Sequence, residues 1–80
     1  MSKTQLDGLD DLVPDVAKGK RDVGYLSTGE KLYVFLAANR MDLLEQEGYT
    51  IVEALHRLGP EWLRELMIRW RNRGNPKQIG

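Results

Sequence analysis

The chain holds one histidine, His56, with Glu53 three residues before it and Arg57 beside it. Residues three apart on a helix are neighbours, so an imidazole and a carboxylate meet here, the smallest pairing that serves a general base or begins a metal site. A metal ion needs three or four converging ligands, and the chain has no cysteine. The reading is a solvated surface histidine, with a small enzyme or metal protein built on His56 and Glu53 ranked last. No catalytic residue, cofactor-binding residue or metal ligand is assigned, no cofactor is implied, and the chain is expected not to be an enzyme. Asp7, Asp10, Asp11 and Asp15 lack the alternating oxygens and distal glutamate of a calcium loop, and are expected to solubilise the N-terminal arm or to meet the basic C-terminal helix. Gly24 to Gly29, GYLSTG, has the look of a phosphate loop, but the lysine and hydroxyl that follow such a loop are missing.

The stronger chemical candidate is cationic. Arg64, Arg69, Arg71, Arg73 and Lys77 crowd the last part of the chain. They would neutralise phosphates of a nucleic acid, and cations near a helix C-terminus also favour the helix dipole. Ile68 lies at the centre of the polar face, between Arg64 and Arg71 on one side and Glu61, Glu65 and Asn72 on the other. A solvated face has no use for an isoleucine, so Arg64, Ile68, Arg71, Arg73 and Lys77 form the candidate partner-binding set. The two helices joined at Gly59 invite comparison with a helix-turn-helix, but the turn is short. Trp62 and Leu63 also stand where base-contacting polar residues belong.

Composition bounds these options. Eighty residues make one domain, which removes only about 60% of the unfolded chain's surface from water. Leu, Ile, Val and Phe are about a quarter of the chain, above the roughly 20% below which chains stay disordered. Without cysteine there is no disulfide framework, so dimerisation or a partner would add stability. The longest apolar run, Leu32 to Ala38, is seven residues, far short of a membrane span. The first residues, MSKTQLDGLDD, carry acids where a signal peptide is apolar. A soluble, cytoplasmic protein without membrane contact is expected. Net charge is zero, laid out as −3 over residues 1–16, +2 over 17–26, −2 over 27–49 and +3 over 50–80.

The elements that position these groups follow from caps and spacing. Ser27 with Glu30, and Thr50 with Glu53, are capping-box patterns that open helices. The run LYVFLAA behind the first is apolar on every side, which predicts the most buried element. Asp42 with Glu45 suits a short helix ending at Gly48, with Asn39 as the break before it; the alternative is one helix running from Thr28 to Glu47. Gly59 suits a left-handed helix end and Pro60 the first position of the next helix, giving Thr50–Leu58 and Pro60–Asn72. In the latter, Trp62, Leu63, Leu66, Met67 and Trp70 form a stripe about 140° wide, and Glu61–Arg64 and Glu65–Arg69 are pairs at helical spacing. Leu6, Leu9, Val13 and Val16 suit one helical face, with Pro14 expected to interrupt it.

The sequence therefore predicts an all-α, single-domain bundle of three to four short helices. Residues 1–26 form an acidic/basic, loosely ordered N-terminal arm, and residues 27–80 form a helical domain with a basic C-terminal helix and a frayed tail. The expected core is Leu32, Val34, Phe35, Leu36, Leu43, Leu44, Ile51, Leu55, Leu58, Trp62, Leu63, Leu66 and Met67. The expected function is a non-enzymatic protein-interaction module (adaptor, inhibitor or regulatory subunit) that binds another protein or itself as a homodimer. The alternative is a nucleic-acid-binding accessory protein using the C-terminal arginines.

Overall fold

The computed structural model describes residues 3–72, and these are helical with no strand among them. Four helices follow in order: α1 Lys3–Ala17, α2 Thr28–Ala37, α3 Met41–Gln46 and α4 Ile51–Asn72. Helix α2 is the hub, packing on α1, α3 and α4. Its Leu32, Tyr33, Val34 and Phe35 are all buried, as expected of a segment apolar on every side.

Local chemistry sets the helix ends. Both capping boxes form. The Ser27 amide donates to Glu30 Oε1 (2.9 Å) and the Glu30 amide to Ser27 Oγ (3.3 Å). The Thr50 amide likewise donates to Glu53 Oε1 (3.0 Å), and the Glu53 amide to Thr50 Oγ1 (3.1 Å). Three helices close with the paired amide-to-carbonyl bonds of a Schellman motif. In α1 these run from Gly19 to Val16 and from Lys20 to Asp15; in α2, from Asn39 to Leu36 and from Arg40 to Phe35; in α3, from Gly48 to Glu45 and from Tyr49 to Leu44. Each needs one left-handed residue, and Asn39 supplies it at φ 58° after α2. Asparagine tolerates that region better than other non-glycine residues.

Gly59, at φ 84° and ψ 165°, divides α4 into Ile51–Leu58 and a segment beginning at Pro60. That backbone region is essentially closed to residues with a Cβ. Open space surrounds the missing Cβ, so the barrier to substitution is backbone strain and not crowding. Gly59→Ala is expected to lower stability by about 1–3 kcal/mol, read by chemical denaturation. An unchanged midpoint would mean the two segments straighten into one helix without cost.

Two expectations change. The interruption at Pro14 is absent, and α1 runs through it to Ala17. Pro14 is exposed and sits in the last turn, so the helix gives up one late hydrogen bond while Leu6, Leu9, Val13 and Val16 stay in the core. The short helix expected around Asp42 forms as α3, with Arg40 at its N-cap, Asp42 in its first turn and Gly48 at φ 86° past its end. The core is also differently composed. Leu32, Val34, Phe35, Leu44 and Leu66 are buried as expected, while Leu36, Leu43, Leu55, Leu58, Trp62 and Leu63 are only half-buried. Ile51 and Met67 are exposed. Their places are taken by the α1 face together with Val23, Tyr33 and Ala54, because α1 covers the side of α2 that α4 does not reach. No described helix is long and apolar enough to cross a membrane.

Candidate protein-docking face

Two arginines that look alike in the sequence have different work from those beside them. Arg69 turns inward and bridges chain segments about sixty positions apart: its Nη1 donates to Asp7 Oδ1 (2.6 Å) and Asp10 Oδ2 (2.7 Å), and its Nε to Glu65 Oε1 (3.3 Å). Asp10 Oδ1 in turn accepts from the buried Tyr33 hydroxyl at 2.7 Å. The carboxylates, Asp10 first and then Asp7, hold the Arg69 guanidinium well above its ordinary value, so it stays charged. Tyr33 also meets Trp62 edge-on, with ring centroids 5.8 Å apart. The Glu65–Arg69 spacing was legible in the sequence, as was a meeting of the N-terminal acids with the basic C-terminal helix; that Arg69 is the meeting point was not.

Arg40 performs a similar task at the opposite end of α1. Its Nη1 donates to the carbonyls of Val16 (2.9 Å), which also accepts the Gly19 amide, and Ala17 (3.3 Å), adding a side-chain donor at the carbonyl end of the helix. Its Nε and Nη2 grip both Asp42 oxygens at 3.0 and 2.7 Å. The Arg40 hydrogen bonds pull the Asp42 carboxyl down to about 2. A depressed carboxylate adds stability that is full above its unfolded value and is lost as pH falls through the folded one. The Asp42 contact is therefore expected to persist from neutral pH to about pH 2, checked by carbon NMR titration of the carboxyl. A midpoint near an ordinary aspartate would show that the grip is open in solution.

The predicted partner-binding residues come out as follows. Arg64, Ile68 and Arg71 lie together on the exposed side of α4, and Ile68 is 38% exposed. Neither Arg64 nor Arg71 pairs with a carboxylate among the described residues. Arg73 and Lys77 lie outside the described residues. His56 is exposed in a shallow recess lined by Gly48, Tyr49, Val52, Glu53 and Arg57. Glu53 there is occupied by the Thr50 amide, and among the described residues no group of three or more His, Cys, Asp or Glu converges on a metal position.

Met67, expected in the core, and Trp70, from the same stripe, instead open outward. Met67 is 57% exposed and Trp70 42%. With Leu36, Ala37 and Leu66 they line an apolar groove of about 310 Å³ where the end of α2 meets the second half of α4. Met67 is three residues from Arg64 and four from Arg71, which places both cations beside it on the helix surface. The available signal was the width of the stripe, broader than contact with one neighbouring helix covers. Set against models of known protein families, curated proteins and solved structures, this chain matches none of them.

Proposed function

We propose that this protein is a non-enzymatic interaction module, an adaptor, inhibitor or regulatory subunit that docks another protein on the second half of α4. The observation that carries the reading is the meeting of exposed apolar surface with uncommitted charge. Met67, Trp70 and Ile68 are exposed, and Arg64 and Arg71 stand among them without a described carboxylate partner. Contiguous apolar surface of this kind marks interaction sites, and Trp, Met and Arg are enriched in interfaces. The face differs from the Arg64–Ile68–Arg71 ridge read from the sequence by extending to Met67, Trp70, Leu36 and Ala37.

Phosphate contact is the competing reading, with Arg64, Arg71, Arg73 and Lys77 as its cations. It draws less support because Arg69, in the middle of the basic run, is engaged with Asp7, Asp10 and Glu65.

Capture from lysate of the source cells, with and without nuclease, separates the two. Trp70→Ala is expected to leave the melting temperature within a few degrees, since the side chain is already partly solvated, yet to remove a specific protein that survives nuclease. Loss of all captured material on nuclease treatment, with affinity falling steeply in salt by about one unit of slope per lost arginine, would replace this reading with the phosphate one.

A further inference from the structure

We infer that the occupant of the α2–α4 groove is an amphipathic helix with acidic residues along its flank, an assignment that rests on the docking reading above. The groove is apolar along its length, lined by Leu36, Ala37, Leu66, Met67 and Trp70. Such grooves take helices whose apolar residues recur at three- and four-residue spacing. Among the described residues there is no strand, so these offer no sheet edge to bind an extended peptide by strand addition.

Charge selects the flank. Arg64 and Arg71 lie one turn to either side of Met67, and both are exposed and unpaired among the described residues. A partner helix seated on Met67 and Trp70 runs its edge past both guanidinium groups, and glutamates or aspartates at that edge meet them. The same geometry argues against a second copy of this chain. A two-fold axis through Met67 sets the Arg64 and Arg71 of one copy against those of the other, and like charges so placed oppose association. A basic flank is excluded for the same reason.

The test uses the full chain, isotope-labelled, and three synthetic helical peptides of about four turns. One carries leucines along one face with glutamates on the flank; one has lysines in place of the glutamates; one keeps the glutamates but has alanines in place of the leucines. The acidic leucine peptide is expected to shift the amide signals of Leu36, Ala37, Met67 and Trp70 and the Trp70 indole N–H. It should bind at least about tenfold tighter than the lysine peptide at low salt. Arg64→Glu/Arg71→Glu, which changes only exposed positions, should abolish that preference while the chain keeps its melting temperature. The alanine peptide should not bind.

Equal binding of the acidic and lysine peptides would overturn the acidic flank and leave the docking reading standing. So would sedimentation showing a dimer whose formation is blocked by Met67→Asp. If no peptide shifts the groove and Trp70→Ala captures the same proteins as the parent chain, the inference and the docking reading fall together.

Discussion

Leu6→Ala is expected to cost about 2–5 kcal/mol, the range for truncating a buried leucine. Leu6 is fully buried, and it comes from the part of the chain whose sequence looked least structured. Its cavity would open beneath α1, where α2 supplies the opposing wall. For a domain of this size each kcal/mol lowers the melting temperature by about 4–8 °C, so a loss of about 8–40 °C is the expected reading. Total stability of small domains is itself only about 5–15 kcal/mol, so this one truncation removes a large share of it. A melt coincident with the parent would remove α1 from the core. Leu66→Ala, on the other side of α2, is the matched control in an element already expected to be buried.

The second large effect belongs to Arg69. Arg69→Met keeps the apolar stem and removes the guanidinium, leaving Asp7, Asp10 and Glu65 without their shared cation. The contributions are unequal. Asp7 is 69% exposed and adds little, whereas the side chains of Asp10 and Glu65 are 19% exposed and would repel each other in a medium less polarisable than water. A loss of about 2–4 kcal/mol is expected, because removing one member of a partly buried charged network leaves the others uncompensated. Denaturant midpoints measure the loss, and hydrogen exchange should show the α1 amides affected first, since α1 and α4 make no close backbone approach and Arg69 hydrogen-bonds across the gap between them. Arg69→Met combined with Asp10→Asn should cost less than the two single changes added together. Strict additivity would show that the clamp is not closed in solution.

These two predictions bear on function through one physical link. The clamp uses the inward side of α4, and the proposed docking face uses the outward side. Holding Arg69 against α1 fixes the rotation of α4 about its own axis, and that rotation keeps Met67, Trp70, Arg64 and Arg71 outside. Arg69→Met would accordingly weaken docking as well as folding, even though Arg69 is not on the face.

By itself the sequence determined the helical class, the starts of α2 and α4 through the Ser27–Glu30 and Thr50–Glu53 boxes, and the division at Gly59–Pro60. It also marked α2 as the buried centre. Each of these rests on groups within a few residues of one another, where hydrogen-bond reach and allowed φ/ψ leave few choices. Only the tertiary structure decided that α1 passes through Pro14, that Arg69 reaches Asp7 and Asp10, that Arg40 closes the end of α1, and that Met67 and Trp70 face outward. A hydrophobic stripe states how much surface a helix would hide, but not how much of it the neighbouring helices are placed to cover. Periodicity cannot divide the Trp62-to-Trp70 stripe into a buried half and an open half, because that division depends on where α2 ends and on which side of it α1 packs.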